Sequence, residues 1–174
     1  YRENVILAAE GPYKLGKARD SPENLMQINP NGTEIFPDFL SVDEQLAVLE
    51  DVRAQIPDAP LYTPTMPRTG KSMSVRMTNF GKAGWMSDAK GYRYQPTHPV
   101  TGSSWPQIPE TILKVWASLL PDQPEPDVCL CNYYGPEAKM GLHQDRDEQD
   151  FSIPVLSISL GDTALFRLGT TKRG

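Results

Sequence analysis

Histidine and cysteine are scarce in this sequence, two of each in 174 residues. The histidines are His98 and His143, so any metal centre with an imidazole ligand must draw on one of them. Cys129 and Cys131 sit two apart. On a strand they point the same way, yet such close neighbours rarely bridge. That excludes a disulfide framework and favours a reducing, cytoplasmic compartment. No apolar run approaches the roughly 20 residues of a membrane-spanning helix, and no membrane partnership is expected. An excess of positive charge is also missing. Lys and Arg number 17 against 22 Asp and Glu, a net charge of −5. This excludes a protein that coats nucleic acid by bulk electrostatics, but not an enzyme that grips one nucleotide locally. There is no internal repeat and no low-complexity tract. What remains, with 39% hydrophobic and 22% charged residues, is the composition of one globular domain, expected to be a monomer.

The chain reads as a polar arm over residues 1–28, then a domain over 29–174. Asn29 to Thr33 has turn chemistry, and Glu34 to Phe39 reads as a short strand and entry loop. Ser41-Val42-Asp43-Glu44 matches a capping box. Behind it, Val42, Leu46, Leu49, Val52 and Ile56 recur at helical spacing, predicting a helix over about 41–56. Pro57, Pro60, Pro64 and Pro67 then predict a long loop. Ser72 to Asn79 alternates, with Met73, Val75 and Met77 on one face, which predicts a strand. A loop bearing Trp85 and a short aromatic strand, Tyr92-Arg93-Tyr94, follow. Ile108, Ile112, Val115 and Leu119 mark a second helix ending before Pro121. From Val128 the character is β, with strands expected at Val128–Tyr134, Ile153–Leu160 and Thr163–Leu168. The order predicts an α+β protein whose β-sandwich or jelly-roll core carries helices on its outside.

The chemistry concentrates in Asn132-Tyr133-Tyr134 and His143-Gln144-Asp145-Arg146-Asp147-Glu148. In extended backbone, His143 and Asp145 project to one side, where an imidazole nitrogen and a carboxylate oxygen meet one metal ion. Two histidines and a carboxylate on one face of iron leave positions open for a co-substrate and O₂. A chance histidine two residues from an aspartate in a polar loop gives the same pattern, so H-x-D needs its context. Asn132 and Tyr134 lie on one face of the preceding strand, where an amide and a phenol are costly unless they bond something. A small dicarboxylate satisfies both, and so does a bond between them. Trp85 and Tyr92, read as loop aromatics rather than core, can clamp a flat ring between them. Asp147 and Glu148 are either a solvated acidic loop or carboxylates placed to meet a cationic substrate.

Asn132-Tyr133-Tyr134-Gly135-Pro136, Leu142-His143-Gln144-Asp145, Asp147-Glu148 and Ser157-Ile158-Ser159-Leu160-Gly161 together resemble the AlkB family of DNA-repair dioxygenases. Met73-Ser74-Val75, Met77-Thr78-Asn79, Gly84-Trp85, Gly91-Tyr92-Arg93-Tyr94 and Trp105-Pro106 fit the same family in the same order, so the likeness runs from about residue 30 to 174. It implies a jelly-roll (double-stranded β-helix) core from about residue 127, flanking helices and a nucleotide-recognition lid over about 57–106. It implies Fe(II) and 2-oxoglutarate. His143 and Asp145 become iron ligands, and Asn132, Tyr133 and Tyr134 form the 2-oxoglutarate set. Trp85, Tyr92, Arg93, Tyr94, Asp147, Glu148 and Arg173 face the substrate, with Met73, Val75 and Met77 lining the lid. The implied reaction is oxidative demethylation of bases such as 1-methyladenine and 3-methylcytosine in single- or double-stranded DNA, or in RNA, releasing formaldehyde.

The family pattern also requires a second histidine downstream of H-x-D and carboxylate-binding arginines. His98, upstream in a Pro-rich loop, is a poor substitute, so the natural protein is expected to continue past Gly174 with further β-strand and these residues. Two other functions share part of the pattern. An oxygenase acting on a protein or small molecule uses His143 and Asp145 but has no need of Trp85, Tyr92 and Asp147. A catalytically dead nucleotide-binding module needs no third metal ligand.

Overall fold

The computed structural model describes residues 5–8, 27–28, 33–143, 152–162 and 165–167. In chain order the elements are β1 (Val5–Ala8), β2 (Gln27–Ile28), β3 (Glu34–Ile35), α1 (Val42–Gln55), β4 (Arg76–Gly81), β5 (Gly84–Asp88), β6 (Gly91–Gln95), α2 (Glu110–Leu119), β7 (Val128–Tyr133) and β8 (Leu156–Ser159). Four strands make one mixed sheet in the order β4-β7-β1-β8, while β2-β3 and β5-β6 form separate two-stranded sheets.

Local chemistry starts α1. Ser41 Oγ accepts the Glu44 N–H at 3.3 Å and the Glu44 carboxylate accepts the Ser41 N–H at 2.7 Å. Both halves of the capping box are therefore made, and two otherwise orphaned donors are satisfied. The Ser41 hydroxyl, which donates to the Glu44 carboxylate at 2.7 Å, and then the Ser41 N–H hold the Glu44 carboxyl below its usual range. The buried stripe of the helix is Val48 and Val52. It is rotated from the expected one, so that Leu46, Leu49 and Ile56 are only half-buried. In α2, Ile112, Val115 and Trp116 are buried. Thr111 Oγ donates to Asp51 Oδ2 at 2.8 Å and ties the two helices together.

The antiparallel β4–β7 ladder pairs Met77 with Asn132, Thr78 with Cys131 and Phe80 with Cys129. Because side chains alternate, its two faces build two cores. Phe80, Cys129 and Cys131 join Val48, Val52, Ile112 and Val115 beneath the helices. Met77 and Leu130 join Tyr62, Val75, Met86 and Trp105 beneath the 57–106 segment. Thr78, expected on a polar face, is buried and donates to the Ala59 carbonyl at 2.8 Å.

Four expectations change. Part of the polar arm forms β1, which pairs in parallel with β7 and β8. Trp85 lies in a strand, not a loop, with Tyr94 opposite it in the β5–β6 hairpin. The strand expected from Ile153 begins at Leu156, after Pro154, which has no N–H to give a ladder. Residues 165–167, the described part of the strand expected at Thr163–Leu168, carry no strand. Leu165 and Phe166 are exposed there, with no described strand to pair them.

Gly84 decides how closely the hairpin approaches the core. A Cβ at this position would stand 2.5 Å from Trp105 Cε2 and 2.7 Å from Asn79 Cβ, both in fixed, buried side chains. Gly84→Ala is therefore expected to destabilise the protein by about 1–3 kcal/mol through overpacking. Urea unfolding measures it; an unchanged midpoint would show that the hairpin is not seated on Trp105.

Candidate active site

The site begins at the end of β7. Asn132 is 1% exposed, and neither its Nδ2 nor its Oδ1 finds a hydrogen-bond partner among the described residues. A buried amide without partners costs free energy of about 1–3 kcal/mol, so this position demands a polar ligand or water. The alternative satisfaction, a bond to Tyr134, is not made. Tyr134 Oη instead donates to Met140 Sδ at 3.6 Å, and burial pushes its phenol up. Tyr133 sits on the other face. Its cross-strand partner is Arg76, whose guanidinium lies 5.7 Å from the ring centroid. The strand alternation that turns Asn132 toward Met77 turns Tyr133 to the opposite face of the ladder.

Beyond β7 the chain turns through Gly135 and Ala138, whose backbones bond at 2.9 Å. Ser74 holds this loop from outside: its Oγ donates to the Lys139 carbonyl at 2.8 Å and accepts the Lys139 N–H at 2.9 Å. One hydroxyl thus replaces a strand partner just ahead of His143. The His143 Nδ1 lies 2.8 Å from the Gly141 carbonyl. A ring donating through Nδ1 carries its lone pair on Nε2 when neutral, the form in which histidine ligates metal. Asp145, Asp147, Glu148 and Arg173 lie outside the described residues. Among the described residues, no three His, Cys, Asp or Glu side chains gather at a metal-sized spacing.

His98 is a structural histidine. It is buried, its Nε2 lies 2.7 Å from the Pro60 carbonyl and its Nδ1 accepts the Val100 and Thr101 N–H groups at 3.1 and 3.2 Å. With both nitrogens engaged and Tyr62 and Trp105 packed around the ring, it has no lone pair for iron. The expectation that it substitutes poorly for a second ligand histidine has this physical reason.

The hairpin supplies the aromatic surface. Trp85 and Tyr92 stack on each other, centroids 5.7 Å apart and planes 21° apart. A third ring between them would need about 7 Å, two van der Waals separations. The pair is therefore a platform with an outer face and not the clamp anticipated from the sequence. Tyr92 stays half-exposed. Arg93 is committed elsewhere. Its Nη1 and Nη2 donate to the two Asp88 carboxylate oxygens at 2.8 and 2.7 Å, locking the hairpin end. That bidentate pair gives Arg93 a structural role in the hairpin. Tyr94 sits opposite Trp85 in the ladder. A cleft of about 420 Å³ between Pro60–Thr65 and His98–Val100 is lined by none of the expected metal or 2-oxoglutarate residues.

Residues that the sequence left without a role stand out. Asn79 and Tyr62 grip the Trp85 backbone, Asp88 clasps Arg93, and Ser74 holds the His143 loop. The signal for Asn79 was its place on the face of the strand that Met73, Val75 and Met77 make apolar, where a buried amide must bond something.

The description of the family model that matches residues 32–174 is the 2OG-Fe(II) oxygenase superfamily. The chain is 49% identical over 142 residues to an alpha-ketoglutarate-dependent dioxygenase AlkB homolog of Caulobacter vibrioides, covering 82% of this chain and 64% of that protein. It is 39% identical over 140 residues to the alpha-ketoglutarate-dependent dioxygenase AlkB of Escherichia coli, covering 78% of this chain and 62% of that protein. A DNA N(6)-methyladenine demethylase of Arabidopsis thaliana, ALKBH1C, is 30% identical over 162 residues, covering 79% of this chain and 35% of that protein. The chain thus spans just under two thirds of the length of the two bacterial relatives.

The Asp88–Arg93 clasp has a defined pH response. The Arg93 hydrogen bonds, then the Lys90 N–H, hold the Asp88 carboxyl well below its usual range. A depressed carboxylate pKa means the clasp contributes fully above the ordinary Asp value of about 4 and is lost as pH falls below it. The near-ultraviolet circular dichroism of the Trp85–Tyr92 stack should therefore stay flat from pH 8 to pH 5 and decline only in stronger acid. Asp88→Asn should show the reduced signal at neutral pH. A wild-type decline centred near pH 6 would mean another group controls the hairpin.

Proposed function

The chain belongs to the AlkB family of the 2OG-Fe(II) oxygenase superfamily, and from that membership we propose that the protein oxidatively demethylates alkylated bases in nucleic acid. The superfamily has a jelly-roll fold and takes Fe(II) and 2-oxoglutarate. The residues described here fit the co-substrate. The buried Asn132 amide, without a partner among the described residues, is the observation that carries the reading: it offers two donors and an acceptor beside an apolar cluster, where a carboxylate oxygen would take the donors. The Tyr134 phenol, close by in sequence, is a second donor. His143 through Nε2, with Asp145, would hold the iron.

With O₂, Fe(II) and 2-oxoglutarate supply an oxidant that hydroxylates a C–H bond, here the N-methyl group of a damaged base. The hydroxymethyl group then leaves as formaldehyde and the base nitrogen regains its proton or lone pair. The chain's own residues do the rest. Trp85, on the same side of the β4–β7 ladder as Leu130 and Tyr134, offers the flipped base a flat apolar face and excludes water. 1-Methyladenine and 3-methylcytosine are cationic, so the platform adds a cation–π attraction of about 0.5–2 kcal/mol that a neutral base does not gain. Asp147 and Glu148 are the carboxylates proposed to meet that charge, and Arg173 a phosphate. Net acidity of the chain favours this local grip over binding along a duplex. The 57–106 segment acts as the lid, and DNA is the substrate class, with RNA as an alternative polymer carrying the same cationic bases.

Two experiments test the reading. Asn132→Leu keeps the volume and removes the amide, so the 2-oxoglutarate KM should rise about tenfold, the worth of one charge-assisted hydrogen bond. Thermal stability should hold or improve, because an unsatisfied buried group is gone. A stability loss with unchanged KM would assign Asn132 to packing. For the substrate, His143→Ala and Asp145→Ala should abolish formaldehyde release from a 1-methyladenine oligonucleotide. Asp147→Asn should weaken turnover more on that cationic lesion than on neutral 1-methylguanine. Equal losses on both lesions would remove charge from the recognition mechanism.

A further inference from the structure

We propose that Asn79 is a positioning residue for substrate recognition, acting through the backbone of Trp85, with Tyr62 as its partner. The proposal rests on the reading of Trp85 as the nucleobase platform.

Asn79 is the fourth of the six residues of β4 and is fully buried. Its side chain does what a neighbouring strand would do. Oδ1 accepts the Trp85 N–H at 3.0 Å and Nδ2 donates to the Trp85 carbonyl at 3.1 Å. The same carbonyl accepts the Tyr62 hydroxyl at 2.7 Å, and that hydroxyl oxygen accepts the second Nδ2 proton at 3.2 Å. Asn79, Tyr62 and the Trp85 peptide groups therefore form a closed polar ring in an apolar layer. Burial pushes the Tyr62 phenol far above its ordinary value, so it remains a hydroxyl donor across the working pH range.

The chemistry requires an amide at this position. Only Asn or Gln offers an acceptor and two donors on one planar group, and Gln is longer than a site closed by Gly84 and Trp105 accepts. Tyr62 is itself held by reciprocal backbone bonds to Met77, both at 2.8 Å. Met77 is the ladder partner of Asn132. One run of bonds thus fixes the Trp85 backbone relative to the strand pair that carries the proposed 2-oxoglutarate amide. A stacking surface contributes to affinity only if it is already in place, because ordering it on binding would cost part of the stacking free energy.

The test uses Asn79→Ala, Tyr62→Phe and Trp85→Ala, singly and combined, with binding of a 1-methyladenine oligonucleotide read by fluorescence anisotropy. Asn79→Ala should weaken binding about 5–20-fold, a substantial part of one base's stacking, and Tyr62→Phe by less. In the Trp85→Ala background neither should weaken binding further, since a residue acting through Trp85 has nothing left to act on. If Asn79→Ala costs the same factor with and without Trp85, the proposal is overturned. A second readout does not need substrate. The Trp85 amide should exchange with solvent slowly in the wild type and at least tenfold faster in Asn79→Ala. Tyr62→Phe, which keeps the ring and the fold, should lie between them. Wild-type protein that ignores the oligonucleotide sinks the nucleobase reading alone. Unaltered exchange of the Trp85 amide in both variants sinks the positioning role.

Discussion

The antiparallel ladder between β4 and β7 is the constraint from which the other features follow. Pairing Met77 with Asn132 and Phe80 with Cys129 sets which side chains share a face, and a slip of one residue would exchange the two faces entirely. In the observed register, one face buries Phe80 and both cysteines under α1 and α2. The other gathers Met77 and Leu130 under Trp105 and the hairpin. The helix face is a packing layer. Burial there pushes the Cys131 thiol up to about 12 and the Cys129 thiol up as well, so neither is a reactive thiolate. Asn132 lies on the opposite face.

Two buried asparagines on this ladder have opposite fates, and the contrast separates support from chemistry. Asn79 has both amide protons and its carbonyl oxygen engaged by Trp85 and Tyr62. It stiffens the structure, as satisfied buried polar networks do. Asn132 is equally buried but has no partner among the described residues. In a low-dielectric layer such a group is costly, and its retention has an explanation when a carboxylate-bearing co-substrate completes it. One amide is thus a structural tie and the other the proposed binding group, though the residue type and strand setting are the same.

The Trp85–Tyr92 stack bears on the proposed recognition of a base. Two rings in contact present one continuous surface, on which a base would gain a single stacking contact. In that reading discrimination comes from charge and from whatever faces the base on its other side. The Asp88–Arg93 clasp and the Asn79–Tyr62 ring hold the two ends of β5. The platform is rigid at both anchor points before any ligand arrives, and preorganisation of this kind favours tight binding over a small area.

Some of this was determined by the sequence alone, because the controlling interactions are local. The Ser41–Glu44 box and the 3.6-residue spacing behind it specify α1, and apolar spacing specifies α2. Alternation specifies β7 and the buried pair Val75 and Met77. The combination of motifs around Trp85, Asn132 and His143 identified the family that the comparisons bear out. The tertiary structure decided what depends on partners far along the chain. Trp85 is in a strand because Asn79, six residues earlier, and Tyr62, 23 residues earlier, satisfy its peptide groups. Val5–Ala8 is a strand because β7 and β8 flank it. Tyr133 faces away from Asn132 because the ladder register gives it Arg76 as a partner, and His98 is structural because Pro60 and two loop amides occupy its nitrogens. A hydrogen bond between residues three apart is written in the spacing of those residues. A bond between distant segments exists only once the fold has brought them together, and in this chain those bonds decide which polar side chains are ties and which remain open to a ligand.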